Sequence, residues 1–156
     1  MNYREHINKL IRQKDLEQLL YKSAEFHGHI CSFSAYGVKA ACYAMNQLNL
    51  EHEGMEEVLA IVETNNCFSD GVQLVTGCTF GNNALIFYDL GKTAVTVASR
   101  ANKQWIRLVL KASFWKSRAE IYPRLFELYE NIVTKRKNVG PQVKKEFRQL
   151  GQNMAS

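Results

Sequence analysis

Long apolar runs are missing from this chain of 156 residues. No stretch approaches the roughly 18 consecutive apolar residues of a membrane-spanning helix. The first twenty residues, MNYREHINKLIRQKDLEQLL, interleave charge with apolar side chains and hold no continuous apolar segment of the kind that marks a secretory signal. Proline and glycine are scarce, at 2 and 9 residues, which argues against disorder or a long flexible linker. The four cysteines form no Cys-x-x-Cys pair, so the knuckles of a standard zinc finger are excluded. The glycine-containing segment Thr76–Asn82 lacks the Lys-Ser/Thr of a phosphate-binding loop. The expectation is a cytoplasmic globule with no membrane segment, whose thiols serve metal or redox chemistry rather than structural disulfides. Its hydrophobic content of 46% is enough for one core.

Charge is present but divided. Residues 1–99 hold 7 basic and 11 acidic side chains, net −4, whereas residues 100–156 hold 13 and 4, net +9. A basic C-terminal third suits a solvated helix face, an acidic partner or nucleic acid. Its aromatics, among them Trp105, Phe114, Trp115, Tyr122, Phe126 and Tyr129, recur mostly at helix or strand spacing. That spacing favours packing over base stacking, so nucleic acid is not the expected partner.

The apolar periodicity predicts an α+β fold. Leu10, Ile11, Leu16, Leu19 and Leu20 mark one N-terminal helix running to about Glu25. A second helix starts at Ser32 or Ser34, either of which can cap it, and continues to about Leu48. Within it, Cys42 reads as a small buried thiol. Val58–Val62 reads as a central strand, followed by a short helix from Gly71 to Thr76 capped by Ser69 or Asp70 and ended by Gly77. Ala84–Tyr88 and Thr93–Ala98 read as strands joined by a hairpin turn at Asp89-Leu90-Gly91-Lys92, and the alternating segment 105–111 reads as a further strand in preference to a helix. Beyond Phe114 the pattern is helical, with Ile121, Leu125, Leu128 and Ile132 on one face, a break at Val139-Gly140-Pro141, and a last helix through Leu150. The expected architecture is a mostly antiparallel sheet packed against helices. Residues 1–112 form the core and residues 113–156 a helical C-terminal extension, in the same domain or as a dimer arm.

The chemistry concentrates in His27-Gly28-His29-Ile30-Cys31, with Cys67 and Cys78 further on. Imidazole and thiolate together select zinc, or some nickel and iron sites, over oxygen-only environments. All five candidate ligands fall at element boundaries. Alternate residues of an extended segment point the same way, so His27, His29 and Cys31 can face one point. A thiolate at a helix N-terminus is stabilised by the helix dipole. Five candidates exceed a tetrahedral set, and the loops decide which of them coordinate. Asp70 and Gln73, one helical turn apart, are placed to line a pocket beside Cys67, and Thr76–Asn82 offers amides for a possible anion nest.

These blocks resemble a known family. Phe26-His27-Gly28-His29-Ile30-Cys31, the helix carrying Gly37, and Cys67-x-x-Asp70-Gly71-x-Gln73-x-x-Thr76-Gly77-Cys78-Thr79-x-Gly81 are similar to the FmdE family of formylmethanofuran dehydrogenase subunits, as is Tyr88–Ala94. The resemblance covers residues 20 to 100. It implies an α+β core that tends to form homodimers. It also implies metal candidates at His27, His29, Cys31, Cys67 and Cys78, and pocket residues at Asp70, Gln73 and Thr76. The family name points to a molybdenum or tungsten redox enzyme of one-carbon metabolism. Two departures stand out: Ser32-Phe33 replaces the Pro-Gly usual after the cysteine, and no cysteine follows Cys78 to build the C-terminal zinc module of many members. The leading expectation is a zinc-binding accessory or subunit-type protein of such an enzyme. The alternatives are a stand-alone metalloenzyme with Asp70 as base to a metal-bound water, and a thiol-redox protein using Cys67 and Cys78.

Overall fold

The computed structural model describes residues 2–155, so the outermost residue of each expected segment, 1 and 156, lies outside it. The N-terminal apolar face is divided between two helices, α1 (Glu5–Gln13) and α2 (Leu16–His27), rather than carried by one. Lys14 takes a left-handed conformation (φ 55°) that ends α1, and the Asp15 carboxylate accepts from the Gln18 amide at 3.1 Å to start α2. The third helix, α3 (Ser32–Gln47), is capped by Cys31 instead of a serine. The Cys31 sulfur accepts from the Ser34 amide, and the Ser34 hydroxyl accepts from the Cys31 amide at 3.1 Å, a reciprocal capping box.

Strand β1 (Val58–Val62) is followed by α4 (Cys67–Thr76), which begins four residues earlier than the sequence suggests. Asn66 is its cap, accepting from the Phe68 amide at 2.9 Å, and Gly77 (φ 72°) ends it. Then come β2 (Leu85–Phe87), β3 (Ala94–Ser99) and β4 (Trp105–Val109). The sheet order is β2-β1-β3-β4. The expected hairpin between β2 and β3 therefore does not form: β1 lies between them, parallel to β2 and antiparallel to β3. The turn-like Asp89–Lys92 segment is a connection across β1, and α4 is the crossover of one βαβ unit. Two of the three pairings remain antiparallel, and the fold is α+β.

One sheet face carries the core. Val58, Ala60, Val62, Val95 and Val97 meet Val38, Ala41 and Met45 of α3 and Val72 and Val75 of α4, all buried. Cys42 is buried there too, as expected. The opposite face holds Leu59, Ile61, Thr96 and Ala98, beside a bidentate ion pair between Arg107 and Glu63 at 2.6 and 2.8 Å. At the far end of α4 the Arg4 guanidinium donates to the carbonyls of Leu74 and Val75 at 2.6 and 2.8 Å, occupying groups a helix C-terminus leaves free.

Helices α3 and α4 meet at backbone distance. A Cβ on Gly37 would lie 2.1 Å from the Phe68 carbonyl oxygen, and one on Gly71 would lie 2.4 Å from that of Ser34. Only glycine permits this approach. It brings the starts of both helices side by side.

The extension comprises α5 (Ala112–Ile121), α6 (Pro123–Tyr129) running into a π-helical turn (Glu130–Thr134), and α7 (Pro141–Ala155). Pro123 interrupts the expected continuous face: Leu125 and Leu128 are buried, but Ile121 is exposed. Among the described residues no helix is long and apolar enough to cross a membrane.

Candidate metal centre

The glycine contact between α3 and α4 positions the site. Cys31 is the cap of α3 and Cys67 the first residue of α4, so both sulfurs sit at helix N-termini. His27 is the last residue of α2, and Gly28 (φ 93°) turns the chain to deliver His29 and Cys31. The three converge through a helix end and a left-handed turn, not through the extended segment the spacing suggested. One ligand atom from each of His27, His29, Cys31 and Cys67 lies within 4.8 Å of the others. A tetrahedral zinc with bonds of about 2.3 Å to sulfur separates two sulfurs by about 3.8 Å, so the four donors need to close by only about 1 Å.

Hydrogen bonding orients one ligand. His27 Nδ1 donates to Asp70 Oδ2 at 2.5 Å, and Asp70 Oδ1 accepts from the Gln73 amide at 3.0 Å. That fixes the His27 tautomer and leaves Nε2 buried with no hydrogen-bond partner among the described residues. A buried acceptor without a donor costs about 1–3 kcal/mol, and a cation removes the deficit. Carboxylate, imidazole and metal in series is the usual outer-sphere arrangement of metal-bound histidine. The donor set therefore fits a transition metal.

The two sulfurs share a proton unevenly. The Cys67 thiol donates to Cys31, which with the Ser34 amide and hydroxyl lowers the Cys31 pKa to about 5 against the opposing effect of burial. Cys67, as donor and half-buried, is pushed up correspondingly. The hydrogen bond between them thus favours the thiolate form at Cys31 and the protonated form at Cys67.

Cys78 and Thr76 lie elsewhere. Both are buried at the opposite end of α4, about 15 Å along the helix axis from Cys67. The Cys78 thiol donates to the Val58 carbonyl at 3.4 Å, and the Thr76 hydroxyl donates to the Val72 carbonyl at 2.8 Å. Burial raises the Cys78 pKa to about 11, so it stays a neutral thiol. Three amides of the expected anion nest are taken internally: that of Cys78 donates to the Thr76 hydroxyl at 3.2 Å, that of Thr79 to Asn82 Oδ1 at 2.8 Å and that of Asn82 to the Thr79 hydroxyl at 3.2 Å.

Two spaces open onto the cluster. A mixed recess of about 400 Å³ is bordered by His27, Asn66, Asp70 and Gln73 together with Val62, Phe80, Leu85 and Phe87. An apolar cavity of about 380 Å³ reaches it through His29, Cys31 and Cys67, and its far wall is built by the C-terminal helices. The sequence reading missed that wall. Trp115, Phe126 and Tyr129, expected as packing residues, border the cavity, and Lys144, Phe147, Arg148 and Gly151 recur at helical spacing along one side of α7. That last spacing was the available signal.

Fold and cluster together define an α+β protein whose two imidazoles and two thiols meet at paired helix N-termini. Residues 26–156 match the family described as "FmdE, Molybdenum formylmethanofuran dehydrogenase operon", and the chain belongs to that family. The match includes the C-terminal helices, beyond the residues on which the resemblance rested. Over 128 residues the chain is 43% identical to a "probable S-adenosyl-L-methionine-binding protein" of Archaeoglobus fulgidus. The alignment covers 80% of this chain but 34% of that protein, so the chain spans about a third of its relative's length. The crystal structure of a tungsten formylmethanofuran dehydrogenase FmdE-like protein from Syntrophus aciditrophicus is similar, with a TM-score of 0.51 at 26% identity. That likeness covers 89% of this chain and 68% of the other.

Proposed function

We propose that this protein holds one divalent transition metal, zinc before nickel or iron, on His27, His29, Cys31 and Cys67. In this reading it acts as an accessory or subunit of formylmethanofuran dehydrogenase or a related molybdenum or tungsten redox enzyme of one-carbon metabolism. The observation that carries the reading is the buried, unpartnered Nε2 of His27, held in place by Asp70 within a four-donor cluster. Bound there, the ion would cross-link α2, α3 and α4, and it would supply a Lewis-acid centre where one of the four donors yields its position. Asp70 positions His27, and Gln73 positions Asp70. Both Asp70 oxygens are engaged, which counts against Asp70 as the base of a stand-alone metalloenzyme. Cys67 and Cys78, at opposite ends of α4, are poorly placed for the thiol-redox alternative. Cys78 and Thr76 serve the packing of that helix end.

The partner for the open sheet face is a second copy of this chain. Trp105 and Val109, on the edge strand beside that face, are 65% and 49% exposed, and burying them favours association. Residues 1–112 and 113–156 form core and extension of one cytoplasmic unit, and nucleic acid is not among its partners.

Elemental analysis of untagged protein tests the metal. The expected result is about one equivalent of zinc per chain, as a single four-donor site holds, lost in Cys67→Ser and His27→Ala and retained in Cys78→Ser. Metal that survives both first substitutions, or is absent from the native protein, overturns the reading. Sedimentation of the native protein against Trp105→Lys tests the dimer.

A further inference from the structure

The apolar cavity beside the cluster has the build of a ligand site. At about 380 Å³ it lies within the roughly 300–1,000 Å³ range of small-molecule pockets. One wall is a run of aromatic rings: Phe33 and Trp115 have centroids 4.9 Å apart, Trp115 and Phe126 4.6 Å, and Phe33 and Tyr129 6.0 Å. The π-helical turn Glu130–Thr134 adds Ile132 and Val133 to the lining. Such turns are frequent at functional sites.

The polar side chains bordering the cavity come from two parts of the chain: His29, Cys31, Ser32, Asn66 and Cys67 around the cluster, and the exposed Lys144 and Arg148 of α7. Among the described residues no acidic side chain borders the cavity. Three of the extension's four acids are engaged by other cations: Glu127 and Glu146 bind Arg124, and Glu130 faces Lys135. Lys144 and Arg148 have no ionic partner among the described residues. Two unmatched cations four residues apart on one helix side offer a doubled site for a carboxylate or phosphate.

Distance sets the size of the occupant. Gly151 brings α7 onto the start of α3, where a Cβ would lie 3.9 Å from the Cys31 Cα. Arg148 and Lys144 lie about 4.5 Å and about 10 Å back along the helix axis from that contact. Rises of that size suit an occupant of one or two fused rings.

We propose that this cavity binds a flat, largely apolar organic anion. Its carboxylate or phosphate rests on Lys144 and Arg148, its rings lie against Trp115, Phe126 and Tyr129, and its far end faces Cys31 and Cys67. Where the metal reading holds, this is the substrate class presented to the metal; the cation pair and the aromatic wall do not depend on it.

Calorimetric titration of the full chain at about 50 mM salt, where surface charge is only partly screened, with 2-naphthoate, 2-naphthyl phosphate and neutral 2-naphthamide is the test. At least one anion is expected to bind about tenfold more tightly than the amide, the yield of one good charge-assisted contact. The carboxylate and phosphate arms show which head group is preferred. In the double variant Lys144→Gln/Arg148→Gln that preference disappears while amide binding stays unchanged, and Trp115→Leu weakens all three ligands. The pattern persists in chelator-treated protein, and metal content measured separately decides the metal reading. Equal binding of anions and amide, no binding at millimolar concentration, an anion preference that survives in the double variant, or one that vanishes with the metal overturns the proposal.

Discussion

The core and the C-terminal extension are built on opposite physical terms. In the core α3 and α4 touch backbone to backbone through Gly37 and Gly71, with no room for a methyl group. In the extension α5 has no buried residue, and α7 meets α3 at Gly151, where a methyl group would find ordinary contact distance. The core, residues 1–112, holds 11 basic and 11 acidic side chains and is net neutral, whereas the extension, residues 113–156, holds 9 and 4, net +5. Tight packing sets the four candidate donors within 4.8 Å of one another. Looser packing leaves a cavity beside them. The ligand-bearing helices and the cavity-bearing helices thus answer different needs, and substitutions should separate them.

The largest effect belongs to the glycine contact. Gly37→Ala or Gly71→Ala drives a Cβ into a carbonyl oxygen and should cost about 3 kcal/mol, the upper end of ordinary overpacking. Because the two helices carry Cys31 and Cys67, metal should be lost as well. Chemical denaturation with metal analysis of the refolded variants checks both, and a variant that is destabilised but keeps full metal content would disconnect packing from the site. Next comes Asp70→Asn, which preserves the shape but weakens the hold on His27 Nδ1. Metal affinity measured by chelator competition should fall about 10- to 100-fold, as for other outer-sphere partners, with little change in the unfolding midpoint.

Acid sensitivity should also map to the core. Burial lowers the pKa of His52 from its ordinary 6.5, with Arg4 assisting and Glu57 opposing. Below 6.5 the unfolded chain therefore takes up a proton that the folded chain refuses, so stability falls as pH drops through that window and is flat above it. A second decline belongs to Glu63, whose pKa the Arg107 guanidinium lowers from 4.5, and it begins only below that value. Thermal midpoints from about pH 7.5 to about pH 5 should show the first decline in native protein and lose it in His52→Gln. The smallest effect is the control in the extension. Gly151→Ala should be neutral or stabilise by up to about 1 kcal/mol, because alanine favours the helix and has room. A loss as large as that of Gly37→Ala would erase the distinction between the two regions.

Much of this was legible from residue order. Val58–Val62 is the strand its branched apolar run announces, and Pro141 opens the last helix. His27, His29, Cys31 and Cys67 converge as their chemistry suggested. Other features were not. The break between α1 and α2 depends on a lysine in a left-handed conformation, which its side chain does not signal, although Asp15 was a readable cap. The segment Asp89–Lys92 has hairpin composition, yet local turn chemistry cannot tell that another strand will take the space between its flanks.

Composition and periodicity determined by themselves that this chain is α+β, that its sulfur and imidazole groups concentrate at helix boundaries, and that its charge divides into an acidic body and a basic tail, because each property is local in the chain. Only the tertiary structure decided that β1 separates β2 from β3, that Cys67 joins the cluster while Cys78 is sealed behind α4, and that α7 turns two cations toward the same cavity. Those outcomes depend on which surfaces meet across the fold, and here a backbone contact between two glycines set the distance.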